Sequence, residues 1–271
     1  MLKIGFIGGG NMATALIGGL AGKLTDGKNI HVIDLNPESL QTLAQRFGVT
    51  TALQVDDTLA QCDVVVLAVK PQQMRQVADS LKPFISTQLV LSIAAGIRSA
   101  DLSRWLGDHQ AIVRAMPNTP ALIGKGITGM AAMAGVSVEQ RAAADAILRA
   151  AGATVWLSSE DLIDPVTAVS GSGPAYVFYF MEAMQQAALE LGLTAEQGVE
   201  LAKATFAGAV ELAIRSPEPL SLLRERVTSK GGTTYAALTS MENNGIRQHI
   251  ITAVKAAAAR GKELGEEFGK D

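Results

Sequence analysis

Five short runs in the first half of the chain restrict its fold more than any other feature. They are KIGFIG (3–8), NIHVID (29–34), DVVVLAV (63–69), QLVLSIA (88–94) and AIVRAM (111–116). Each is apolar nearly throughout rather than at alternate positions, which is the pattern of a strand buried on both faces of a parallel sheet. Helix-length segments at 11–23, 37–47, 71–82 and 99–106 separate them. This β–α alternation predicts an α/β fold with a doubly wound, Rossmann-type sheet. ITGMAAM (127–133) and ATVWLS (153–158) add strands around a helix at 137–151. After Glu160 the β signal stops, and helices are expected at 174–192, 194–215, 219–226, 233–243 and 244–268. The chain therefore divides into residues 1–160 and an all-helical segment, 161–271.

The helix at 174–192 opens on Pro174, a residue suited to a first helical turn. Tyr176, Val177, Phe178, Tyr179, Phe180 and Met181 make its early part apolar all round. A helix with no polar face is a buried one. The helical segment is too small to surround it, so a second copy of the chain is expected to cover it. The alternative is packing against its own N-terminal domain alone.

Composition narrows the function. Hydrophobic residues make up 48% of the 271 and charged residues 18%, as in a folded protein. Net charge is −3 and no basic run occurs, so nucleic acid is not an expected partner. Cys62 stands alone, excluding an internal disulfide and fitting a reducing compartment. The N-terminal LKIGFIG is too short for a signal peptide, and no run approaches the ~18 apolar residues of a membrane helix. These features predict a soluble cytoplasmic protein with no membrane partner.

GFIGGGNMA (5–13) places G-x-G-x-x-A directly between a strand and a helix, the setting in which this motif binds a dinucleotide. Gly8 permits the tight turn, Gly10 lets the backbone approach a pyrophosphate, and Ala13 lets helix and strand pack closely. Asp34 ends the second strand, where an acid usually bonds the adenosine ribose and favours NAD. The interval from Gly10 to Asp34 is longer than usual, so AGKLTDGKN (21–29) is expected to form a surface loop. Lys70 and the small residues 94–96 end two further strands on the same edge, leaving room for a nicotinamide ring.

A second cluster, TSKGGTT (228–234), leads into the helix at 233. Unpaired amides at a helix start attract an anion, here a substrate carboxylate, while Ser229 and Thr234 supply hydroxyls. An ordinary glycine-softened cap is the plainer reading. Neither glycine cluster holds a histidine: His31, His109 and His249 all lie elsewhere. No ligand spacing points to a metal, and no G-x-S-x-G nucleophile turn occurs. Hydride transfer to a carbonyl normally wants a strong general acid. An imine carbon does not, because its protonated nitrogen already activates it.

GFIGGGNMA, AVKPQ (68–72), SIAAG (92–96), RAMPNTP (114–120), SGSGPAYVF (170–178) and VTSKGGTT (227–234), in this order, resemble the pyrroline-5-carboxylate reductase family across essentially the whole chain. The resemblance implies an N-terminal dinucleotide-binding domain and an all-helical C-terminal domain for substrate binding and dimerisation. It also implies reduction of (S)-1-pyrroline-5-carboxylate, a cyclic imine carboxylate, to L-proline as the last step of proline biosynthesis. NADPH is the expected cofactor, with NADH also used; the assembly is a dimer, in some members a decamer. Carried over, the cofactor residues are Gly8, Gly10, Asn11, Met12, Asp34, Asn36, Ala68, Val69, Lys70 and Ala95. The substrate residues are Ser229, Gly232, Thr233, Thr234 and Glu160, with Thr234 as the catalytic contact to the ring nitrogen. No metal is implied. Asp34 and Val55 stand where some members have a serine and an asparagine serving the 2′-phosphate, and Arg226 stands in place of a cofactor-contacting asparagine. Asn36, Ser39 or Arg226 could compensate.

Two competing readings fit less well. A β-hydroxyacid dehydrogenase would need a lysine in the region that here reads SGSGPAYVFYF. A redox-sensing nucleotide-binding module would have no use for SKGGTT.

Overall fold

The sheet that the apolar runs predict has eight strands. A computed structural model describes residues 1–270. In chain order the first unit contains β1 (Ile4–Ile7), α1 (Asn11–Leu20), β2 (Ile30–Ile33), α2 (Pro37–Phe47), β3 (Thr50–Ala52), β4 (Val64–Leu67), α3 (Met74–Leu81), β5 (Leu89–Ser92), α4 (Ser99–Trp105), β6 (Ile112–Met116), β7 (Gly126–Ala132), α5 (Val138–Arg149), β8 (Gly152–Trp156) and α6 (Ile163–Val166). The strands lie in the order β3-β2-β1-β4-β5-β6-β7-β8. All neighbours are parallel except β6 and β7. Chain order reverses between β1 and β4, which opens the ligand crevice at their carboxyl ends.

The four residues of β1, β2, β4 and β5 are all buried. Ile4, Phe6, Val32, Val64, Val66 and Leu91 face one core with Ala13, Leu16 and Ile17 of α1. Val65, Leu67 and Val90 face another with Met74, Ala78 and Leu81 of α3. This two-faced burial explains why these strands carry no polar alternation.

Most boundaries fall within a residue or two of those expected. The 11–23 helix stops at Leu20, and the 71–82 segment is a 3-10 turn over Pro71–Gln73 followed by α3. β3 is absent from the sequence reading because it is a three-residue edge strand, Thr-Thr-Ala, with no buried position. By packing, the first unit runs to Ser172 and takes in the chain end from Ala256, while the second spans Gly173–Lys255. After β8 the chain forms a 3-10 turn at Glu160–Leu162, then α6, then a π-type turn at Thr167–Gly171. Ile163 and Ala168 are each only 1% exposed, which holds this stretch to the first unit.

The second unit contains α7 (Gly173–Glu190), α8 (Ala195–Arg215), α9 (Leu220–Arg226) and α10 (Thr233–Asn243). The unit boundary falls inside α11 (Ile246–Phe268). Thr194 and Gln197 form a reciprocal capping box at the start of α8. Gly198 lets α8 approach α7, where an added Cβ would lie 3.2 Å from that of Ala188. Large apolar side chains of α7 remain uncovered within one chain: Phe178 is 59% and Tyr179 72% exposed.

Candidate active site

The dinucleotide crevice starts where β1 ends. Gly8 has φ +100°, and its N–H donates to Ile33 O at 2.8 Å. A Cβ there would lie 2.6 Å from the Ala68 carbonyl oxygen, so both conformation and space exclude a side chain. Gly10 caps α1 without any side-chain bond, and nothing lies within 4 Å of its missing Cβ. The space over the first amides of α1 is therefore open, as a pyrophosphate requires. Asn11 is exposed at this opening and Met12 is half-buried. Ala13 is 1% exposed against the sheet, as its place in the motif predicts.

Asp34 follows β2 and lines a cleft of about 540 Å3 with Gly8, Leu35, Val55, Val69, Gln73 and Gln76 among its walls. No lysine or arginine lines this cleft. Asp34, Asn36 and Ser39 all bond to backbone at this turn. Asp34 Oδ2 accepts from Gly9 N–H at 2.6 Å and Oδ1 from Asn36 N–H at 2.8 Å. Asn36 Oδ1 caps α2 through the Glu38 and Ser39 amides. The Ser39 hydroxyl donates to Gly9 O at 2.9 Å. The short polar groups are used to pin the glycine turn.

The facing wall comes from the ends of β4 and β5. Ile7, Leu67 and Ser92 share one register across β1, β4 and β5. Ala68 N–H donates to Ile7 O at 2.8 Å, and Val69 enters the cleft. Lys70 is exposed where the 3-10 turn begins, and Ala95 is half-buried beyond β5. The fold thus gathers Gly8, Gly10, Asp34, Ala68, Val69 and Ala95 at one edge of the sheet.

Glu160 has another local task. Its Oε1 accepts from Ser99 N–H at 2.7 Å and from Arg114 Nη1 at 3.0 Å. Arg114 Nη2 reaches Asp164 Oδ1 at 3.3 Å. Asn118 ties the β6 end to the turn before α7: its Nδ2 donates to Ser170 O at 3.1 Å, and its Oδ1 accepts from Ile127 N–H at 2.9 Å. Sequence reasoning passed over Arg114 and Asn118. The signal was a charge and an amide within or beside an otherwise apolar strand.

In the second unit, Ser229–Thr234 forms the turn into α10. Gly231 has φ +75°, and Gly232 caps α10 with no side-chain bond. Gly232 N–H donates to Ser229 O at 2.9 Å, which closes the turn. Ser229 and Thr233 are exposed and Thr234 is half-buried. The first amides of α10 and three hydroxyls are therefore grouped on one short turn.

Cys62, His31 and His109 each have a local partner. Burial pushes the Cys62 thiol up to about 11, which keeps it neutral. His31 is buried, 2.8 Å from Thr50 Oγ1 and 3.3 Å from Asp56. His109 Nε2 lies 2.9 Å from Gln88 O, and His249 sits in α11 beside Gly245.

Comparison with known proteins agrees with this layout. The family model for pyrroline-5-carboxylate reductase dimerisation matches residues 160–264, and that for NADP oxidoreductase, coenzyme F420-dependent, matches residues 3–96. A Pseudomonas aeruginosa pyrroline-5-carboxylate reductase is 44% identical over 269 residues, covering 99% of this chain and 98% of the relative. The structure of a pyrroline-5-carboxylate reductase from Coxiella burnetii superposes with a TM-score of 0.91 at 42% identity, covering 97% of this chain and 98% of the other. The Plasmodium falciparum pyrroline carboxylate reductase with NADP bound gives a TM-score of 0.86 at 30% identity, with the same coverage. At such identity over nearly the full length of both chains, this chain belongs to the pyrroline-5-carboxylate reductase family.

Proposed function

We propose that this enzyme reduces (S)-1-pyrroline-5-carboxylate to L-proline using NADPH, with NADH also accepted, through a substrate site made of the α10 amides and the Ser229, Thr233 and Thr234 hydroxyls. The observation that carries this is the uncapped start of α10, where Gly232 leaves the first amides without a side-chain partner. Such amides complement a carboxylate. The Gly8–Gly10 turn and the β4 and β5 ends hold the dinucleotide, which supplies the hydride when bound. The imine carbon receives the hydride, and its nitrogen, carrying a proton, becomes the secondary amine of proline. Thr234 orients that nitrogen. Purified protein mixed with NADPH and pyrroline-5-carboxylate should consume the NADPH absorbance and form proline. No consumption above the cofactor-only rate would refute the activity.

The working assembly is at least a dimer in the cytoplasm. The exposed Phe178 and Tyr179 of α7 are the surface a second copy would cover. Light scattering at micromolar concentration should give at least twice the chain mass, and a folded monomer would defeat the dimer.

Asp34 sets the cofactor ratio. Its carboxylate lines the cleft that would receive the adenosine ribose, where a 2′-phosphate would meet a like charge. Such contact costs about 1 kcal/mol in high dielectric, or about fivefold in affinity. Asp34→Ser should therefore raise the NADPH/NADH ratio of kcat/KM about fivefold at fixed salt. A ratio that does not move would mean that Asp34 does not face the ribose.

A further inference from the structure

We infer that Phe268, at the end of α11, is a positioning residue for the cofactor, its ring fixing the turn Ala94–Gly96 against the dinucleotide crevice. The inference rests on the proposal that Ala95 contacts the cofactor.

Sheet hydrogen bonding along this strand extends to Ile93, whose N–H donates to Leu67 O at 3.1 Å. Packing then fixes the turn: Ala94 and Ile97 are buried in the core cluster that Phe268 joins from α11. Gly96 has φ +75°, and a Cβ built on it would lie 3.1 Å from Phe268 Cδ2, 3.2 Å from Cε2 and 3.3 Å from Leu264 Cβ. The ring therefore sits directly on the backbone next to Ala95.

The end of α11 is itself held by the segment that follows this turn. Arg98 Nη2 is 3.8 Å from Glu266, and Arg104 Nη2 donates to Gly269 O at 3.2 Å. Gly265 lets Arg98 lie across the helix, its missing Cβ 3.0 Å from Arg98 Nε. Turn, α4 and helix end form one packed piece. A ring that supported only the fold could be lost without a kinetic signature. One that sets the depth of Ala95 changes how the nicotinamide lies, and hydride transfer is sensitive to displacements of about 1 Å.

Phe268→Ala should raise the KM for NADPH roughly tenfold and lower kcat, with little change in the KM for pyrroline-5-carboxylate. The isotope effect on kcat with NADPH deuterated at the transferred position should rise, because the transfer step becomes more limiting. Phe268→Tyr, which keeps the ring, should restore both constants. If Phe268→Ala does not yield folded protein, Phe268→Val carries the same test. Ala95→Leu tests the underlying reading separately by filling the space assigned to the cofactor. If Ala95→Leu raises the NADPH KM while Phe268→Ala leaves the kinetics unchanged, the positioning role is refuted and the site stands. If Ala95→Leu has no effect, the site assignment fails and the inference falls with it.

Discussion

Thr234→Ala is expected to lower turnover by ~10²-fold, about what the loss of one preorganised transition-state hydrogen bond costs. The hydroxyl stands in the first turn of α10, two residues after Gly232, an N-cap with no side-chain bond. His31 and His109 have local partners, and Cys62 is a buried neutral thiol. Of the three hydroxyls on this turn, Thr234 is the one that the family resemblance assigns to the ring nitrogen. Thr234→Ser keeps the hydroxyl and should retain most of the activity. If the effect lies in the transition state, kcat falls with kcat/KM while the affinity for proline, measured by quenching of cofactor fluorescence, changes little. Near-normal turnover in Thr234→Ala would remove the residue from the mechanism.

The parts of the site that were legible in the sequence are those where backbone geometry dictates the residue. Gly8 must be glycine because of its φ and the nearby Ala68 carbonyl, and Ala13 must be small because it lies against the sheet. The α2 boundaries were legible for similar reasons: Asn36 and Pro37 start the helix, and Gly48 ends it at φ +67°. Side-chain direction carries no such mark. Asp34 could be placed at the end of β2, but its two bonds to the Gly9 and Asn36 amides depend on how two turns meet. β3 was missed because an exposed three-residue edge strand has no apolar run to reveal it. The stretch 160–172 looks like the start of the helical segment, since its helical turns match that pattern. Only the burial of Ile163 and Ala168 assigns it to the first unit.

Arg114 marks where a lone charge in an apolar run carried more information than its neighbours. Its side chain is 4% exposed on β6, between Glu160 and Asp164, whose side chains are 30% and 21% exposed. Its Nε is buried without a hydrogen-bond partner. A buried guanidinium is tolerated only while paired, so the two carboxylates explain why an arginine can stand in this strand. Arg114→Met keeps the length and apolar stem but leaves two carboxylates facing each other, and the Ser99 amide alone on Glu160. Breaking a buried pair costs about 3–5 kcal/mol. Water reaches both acids, so about 2–4 kcal/mol is expected here. The melting temperature, compared at one protein concentration because the chain self-associates, should fall by several degrees. The triple variant Arg114→Met, Glu160→Gln, Asp164→Asn removes all three charges and should recover much of the loss, since neutral amides do not repel. A single variant as stable as the parent would mean that solvent already screens the cluster. A triple variant no better than the single would mean that repulsion between the two carboxylates is not the source of the loss, because the two variants differ only in those charges.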